Sequence, residues 1–128
     1  MGQHLPYLVT VLSALLVFIL AYRVGAARGK YGINAPATTG NVEFEYVYRT
    51  QMNTIESFVY FLPLMWTFSV YVGSLSGGFL GLVWLGARIV YAIQYSQGKS
   101  RTIPFVMSIG VCVIYLVGSL IAIVRGLI

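Results

Sequence analysis

Charge is scarce in this chain: 9% of its 128 residues are Asp, Glu, Lys or Arg, against the roughly 25% usual in a soluble domain. With 59% hydrophobic residues and a mean hydropathy of +0.84, it cannot cover a water-facing surface, so lipid must be its main solvent. Acids are rarest, with only Glu43, Glu45 and Glu56 against eight basic residues, a net +5. Such a balance in a soluble protein points to nucleic acid, but no basic run with interleaved aromatics occurs here. The bases stand at the ends of apolar runs, where they set topology or hold an anionic ligand. A single cysteine, Cys112, lies inside an apolar segment and reads as a packing residue, which excludes an intramolecular disulfide. The single histidine, His4, is terminal. No zinc set, nucleotide loop, Ser/His/Asp or Cys/His arrangement can be assembled, and no metal is expected.

Against this background four apolar stretches stand out. Leu5 to Tyr22 is followed, not preceded, by positive charge (Arg23, Arg28, Lys30), the reverse of a signal peptide, and reads as a membrane helix over 5–24. Gly25, Gly29, Gly32, Pro36 and Gly40 predict a non-helical connection from Arg23 to Asn41. Asn41 is a plausible helix cap, with Glu43 and Glu45 suited to the positive end of the next helix dipole, over 42–72. Pro63 inside it predicts a kink. Gly73 to Gly78 reads as a turn, followed by helices over 79–97 and 103–125, the last with Pro104 in its first turn. Gly110 and Gly118 read as close-packing positions. The expected architecture is an all-α, single-domain membrane bundle of four transmembrane helices, running up-down-up-down over residues 1–128.

The second helix carries an unusual stripe. At about 100° per residue, Arg49, Asn53, Glu56 and Tyr60 share one face. Each charge costs about 2.5–3.5 kcal/mol in a membrane span on insertion scales. Such a stripe faces a partner helix or a wet cavity. In the third helix Arg88, Tyr91 and Tyr95 share a face by the same geometry. The bland alternative is an Arg88–Glu56 ion pair within the bundle. The connections holding Arg23, Arg28 and Lys30, and Lys99 and Arg101, are the basic ones, and the positive-inside rule makes both cytoplasmic. Arg28, Lys30, Arg49, Glu56, Tyr91, Tyr95 and Arg101 then converge on one membrane face. Several arginines and one glutamate suit a small zwitterion with more than one carboxylate, since guanidinium forks pair carboxylates bidentately. A cation beside a thiol also lowers its pKa from ~8.5 toward neutrality.

Glu43 to Glu56 (EFEYVYRTQMNTIE), with its Arg-x-Gln-x-Asn-x-x-Glu spacing, resembles the signature of the MAPEG family, membrane-associated proteins in eicosanoid and glutathione metabolism. Ala87 to Tyr95 resembles that family's third-helix motif, and Pro36 to Gly40 the approach to its second helix. The branch most resembled is that of the microsomal glutathione transferases and leukotriene C4 synthase. The resemblance implies a homotrimer with glutathione as co-substrate, bound between subunits near the cytosolic face of the bacterial inner membrane or endoplasmic reticulum. Arg28, Arg49, Gln51, Asn53, Glu56, Tyr91 and Tyr95 match glutathione contacts, and Arg101 the arginine that stabilises the thiolate. Ser57 departs from the tyrosine of the leukotriene synthase, and Gly29 and Gly32 from its arginine-rich first loop. These changes favour a broad transferase acting on lipophilic electrophiles, with lipid hydroperoxide reduction as a second activity. The alternative within the family is a non-enzymatic lipid-binding scaffold. A small four-helix drug exporter is disfavoured, because Leu5 to Tyr22 lacks a membrane carboxylate.

Overall fold

In the computed structural model, which describes residues 2–128, every regular element is helical: a short 3-10 turn (Gly2–His4), then α1 (Leu5–Tyr31), α2 (Val42–Tyr71), α3 (Ser74–Ser96) and α4 (Thr102–Leu127). α1 runs past Gly25 and Gly29, seven residues beyond its expected end at 24. A helical glycine costs only about 1 kcal/mol. That is offset here by the burial of Val24 and Ala27 against Phe44 of α2. Arg28 and Lys30 in the last turn suit the negative end of the helix dipole. The helix stops at Gly32, whose positive φ of 69° lets its N–H return to the Arg28 carbonyl.

α2 starts as its sequence indicates, with the Asn41 side chain accepting a hydrogen bond from the Phe44 N–H at 2.9 Å. It continues through Pro63, and the Thr67 hydroxyl donates to the Pro63 carbonyl at 2.8 Å. α3 begins at Ser74 instead of 79, so only Gly73 precedes the helix, as its N-cap, and Gly77 and Gly78 of the expected turn are helical. Their role is close approach. A Cβ at Gly78 would come within 2.6 Å of Leu5, and one at Gly81 within 2.9 Å of both Val9 and Met65. In the same region the Tyr115 hydroxyl donates to the Gly77 carbonyl at 2.5 Å. Gly118 is likewise pressed against Phe68, at 2.6 Å from such a Cβ, whereas Gly110 faces open space and is not a packing position.

α2 and α3 form a central pair, each packed on all the other long helices; α1 and α4 flank the pair and, among the described residues, do not pack on each other. Tyr7 of α1 meets Trp66 of α2, and Arg23 of α1 reaches Ser96 of α3. These contacts fix α1 and α3 as parallel and α2 as antiparallel to both. The core is built on Phe61 stacked on Trp84 at 3.8 Å, with Tyr115 and Phe68 packed alongside. Outside it, Val11, Phe18, Val106 and Leu120 stand exposed. An apolar exterior around buried Ser13, Thr54, Ser108 and Ser119 is the arrangement lipid selects. Among the described residues, three helical stretches, Gly2–Tyr31, Ser74–Ser96 and Thr102–Leu127, are long and apolar enough to cross a membrane. α2 is not among them, so composition alone accounts for three spans and not the four expected. Its acids, Arg49 and hydroxyl side chains dilute its apolar run.

Candidate functional site

The C-terminal half of α3 carries Trp84, Arg88, Tyr91 and Tyr95 at helical spacing, and the first three are buried. Arg88 is 0% exposed. Its guanidinium carbon lies 4.8 Å from the Tyr91 ring centroid, 5.9 Å from that of Phe105 and 6.0 Å from that of Trp84. Such ring faces offset part of the several kcal/mol that burying a cation costs. Its Nη1 donates to the Asn53 side-chain oxygen at 2.8 Å, while Nε and Nη2 are buried without a partner. Arg88 therefore bonds Asn53 and not Glu56, which is exposed; the alternative of an Arg88–Glu56 ion pair is not what forms.

One turn further along, the chain leaves α3 and re-enters the bundle through Gly98, whose φ of 72° permits the reversal. Arg101 caps α4 at this point. Its Nη1 donates to the Tyr91 hydroxyl at 3.1 Å, and its guanidinium carbon lies 4.2 Å over the Tyr95 ring. Tyr95 is in turn braced edge-on by Tyr46 of α2 at 5.5 Å. The bond to Tyr91 pushes the Arg101 pKa above its already high value, so the group is a permanent cation. It is exposed, and a guanidinium has five N–H donors, most of them free for a ligand. The N-terminus of α4, without a side-chain cap, adds positive potential at the same place. Pro104 in its first turn has no N–H to leave unsatisfied.

An apolar groove of about 470 Å³ lies between α3 and α4, starting at Ser100 beside Arg101 and passing Gln94, Ile103, Val90 and Met107. A second, of about 560 Å³, separates α2 from α4 and is lined by Val59, Tyr60, Pro63 and Cys112. Arg101 does not itself line the first groove: its guanidinium is turned onto Tyr91 and Tyr95, a fixed cation one residue along the chain from the Ser100 end.

Of the residues singled out from the sequence, Asn53, Tyr91, Tyr95 and Arg101 are gathered into one neighbourhood, linked through Arg88. Arg49 and Glu56 are exposed and Gln51 is half-buried; none of them takes part in the hydrogen bonds tying that neighbourhood together. Arg28 serves a separate cluster. Its Nη1 donates to the Ala37 carbonyl at 2.7 Å and the Ile33 carbonyl at 3.3 Å, and its guanidinium lies 5.0 Å over Phe44. Tyr46 and Phe105 were missed by sequence reasoning. Tyr46 stands one turn before Thr50 and four residues from it, within the conspicuous run, but nothing in its identity marks it as a brace.

The MAPEG family model matches residues 6–121. The chain is 43% identical over 119 residues to an uncharacterized protein of Synechocystis sp., covering 92% of this chain and 87% of that protein. It is 38% identical over 104 residues to microsomal glutathione S-transferase 2 of Homo sapiens, covering 80% of this chain and 71% of that protein. Against leukotriene C4 synthase of Bos taurus it is 36% identical over 94 residues, covering 73% of this chain and 60% of that protein. With nearly its whole length matched by the family model and by these relatives, the chain belongs to the MAPEG family.

Proposed function

We propose that the protein is a membrane-bound glutathione transferase that conjugates glutathione, as its thiolate, to lipophilic electrophiles. The observation that carries this reading is Arg101, an exposed cation held by Tyr91 and Tyr95 in the α3–α4 connection, next in the chain to Ser100 at the end of the apolar groove. The names of the transferase and synthase relatives point the same way. In this reading Arg101 donates to the glutathione sulfur. An opposite charge within ~4–6 Å favours the ionised form of a group, and each pKa unit of thiol lowering needs about 1.4 kcal/mol. The electrophile enters from the bilayer along an apolar groove; the sulfur lone pair forms the C–S bond as the leaving group departs or the ring opens. With a lipid hydroperoxide the thiolate attacks the distal oxygen, the O–O bond breaks, and the alkoxide takes a proton. A second glutathione then reduces the sulfenic acid to disulfide and water.

The tripeptide is gripped by Arg28, Arg49, Gln51, Asn53, Glu56, Tyr91 and Tyr95. Glu56 holds its ammonium group, the arginines its carboxylates, and Asn53 and Gln51 its amides. The exposure of Arg49 and Glu56, and the attachment of Arg28 to a different cluster, support a site completed between subunits of a homotrimer. α2 then crosses the membrane as a fourth span, with its charged stripe turned toward the neighbouring subunit and the site at the cytoplasmic face.

Stopped-flow absorbance in the thiolate band, on purified protein mixed with glutathione, tests this reading. A rise that vanishes in Arg101→Ala is the expected result. A protein that yields no rise yet still retains lipid is a scaffold, and the enzymatic reading fails.

A further inference from the structure

A second cationic pocket lies on a face of α3 away from Arg101. It has a volume of about 270 Å³ and is lined by Arg23, Ala26, Ala27 and Lys30 of α1, Val47 of α2 and Ser96 of α3. Arg23, Ala26, Ala27 and Lys30 follow the i, i+3, i+4, i+7 pattern of one helix stripe. The two alanines make the depression and the two cations flank it. Arg23 Nη2 donates to the Ser96 hydroxyl at 3.2 Å, which holds one rim across the α1–α3 boundary. The Lys30 ammonium lies 5.2 Å over the Tyr31 ring at the other rim. Both cations are exposed, and neither belongs to the Arg101 neighbourhood.

The surroundings identify what fits. Arg23 is the first charged residue after the apolar run of α1, so the pocket lies at the depth where acyl chains give way to headgroups. Along α1 the same stripe continues to Ile19, 48% exposed; along α3 the stripe of Ser96 continues to Ile93 and Ile89, 51% and 43% exposed. These isoleucines are apolar walls leading from the cationic pocket toward the bilayer interior. Tyr22, 78% exposed beside Arg23, suits an interfacial ring. A soluble anion has no use for such walls, whereas a phospholipid has.

We infer that this pocket binds the phosphodiester headgroup of an anionic phospholipid from the cytoplasmic leaflet, with its acyl chains laid between α1 and α3. Arg23 and Lys30 supply the charge and the donors; the Ser96 hydroxyl, which accepts from Arg23 and donates to the Ile93 carbonyl at 3.3 Å, fixes the Arg23 rim. The site is independent of the glutathione site, since its stripe on α3 (Ile89, Ile93, Ser96) is not the stripe of Arg88, Tyr91 and Tyr95.

The test uses the full chain, delipidated in neutral detergent and titrated with phosphatidylglycerol, phosphatidylcholine or inorganic phosphate, with bound lipid read by native mass spectrometry. Phosphatidylglycerol should be retained well above phosphatidylcholine. A basic residue near an anionic bilayer surface strengthens binding about fivefold, so Lys30→Gln should weaken retention about fivefold and Arg23→Gln with Lys30→Gln about 25-fold. The thiolate absorbance with glutathione should be unchanged in both, which separates this pocket from the transferase reading and reports folding. Lys30 is exposed, so its single variant remains informative even if the double variant does not fold. Equal retention of the two lipids overturns the inference, as does unweakened binding in Lys30→Gln or saturation by inorganic phosphate alone.

Discussion

The two halves of the candidate site are built differently. On the α3–α4 side every group is held: Arg101 by Tyr91 and Tyr95, Tyr95 by Tyr46, and Arg88 by Asn53 and three aromatic rings. On the α2 side, Arg49 and Glu56 project from the bundle and Gln51 lies partly open on another face. The first half is pre-organised, with its cation already fixed in place. The second half carries its charge on exposed side chains of α2; in the proposed reading, where α2 crosses the membrane, each such charge is expensive. In the proposed function this contrast separates chemistry from recognition: the activating cation is positioned within one chain, and the grip on the tripeptide is the part assigned to a neighbouring subunit.

The largest expected effect is on the held side. Arg101→Ala should lower kcat by about 10²-fold or more, the usual scale for removing one donor to a developing oxyanion-type charge. Its thermal stability in detergent should fall only by about 0.5–1.5 kcal/mol, the contribution of the lost bond to Tyr91, because the rest of the side chain is exposed. The pH dependence gives the sign. Arg101 is protonated throughout, its pKa raised by Tyr91, so the rising limb of activity reports the glutathione thiol alone. A neighbouring cation lowers that thiol pKa; losing it must shift the limb to higher pH. A limb that stays in place would mean the thiolate is stabilised elsewhere, and the distinction between the halves would be lost.

A paired comparison across the halves comes next. Glu56→Gln should weaken glutathione binding about tenfold or more, as expected for one charge-assisted bond, and cost under ~0.5 kcal/mol of stability at an exposed position. Asn53→Ala should weaken binding too, but it also strips the buried Arg88 of its side-chain partner, at about 2 kcal/mol of stability. Isothermal titration and thermal unfolding on the same preparations separate the two. If Glu56→Gln unfolds as readily as Asn53→Ala, the open half is structural after all.

How far the sequence alone led can be read from the same residues. Its apolar periodicity, the Asn41 cap and the Arg88, Tyr91 and Tyr95 spacing led directly to the helices and to the face of α3 that matters, because those signals are local. Gly77 and Gly78 were misread as a turn because a glycine looks the same whether it reverses the chain or admits a neighbour; only the position of Leu5 and Ser69 decides between them. Gly25 and Gly29 were misread for the converse reason, since the burial of Val24 and Ala27 against Phe44 is tertiary. The Asn53–Arg88 bond joins residues 35 apart, and a helical wheel of either helix cannot choose Asn53 over Glu56 as the partner. The grooves, too, arise between helices and have no counterpart in any single run of residues.

The smallest effect probes the inside of the held half. Tyr91 is buried, and its hydroxyl accepts from Arg101, so Tyr91→Phe keeps the ring against Arg88 and removes one bond. A single hydrogen bond of this kind contributes about 0.5–1.5 kcal/mol, so kcat should fall about threefold to tenfold. KM for glutathione should rise by less than kcat falls, because the guanidinium remains stacked on Tyr95 and the Tyr91 ring stays in place. The rising limb of the pH profile should move up by a fraction of a unit, well short of the shift in Arg101→Ala. Adding Tyr95→Leu should then cost more than either change alone, since Arg101 loses both of its anchors. If Tyr91→Phe by itself matches Arg101→Ala, the hydroxyl itself contacts the thiolate, and the α3–α4 side holds two activating groups in place of one cation and its supports.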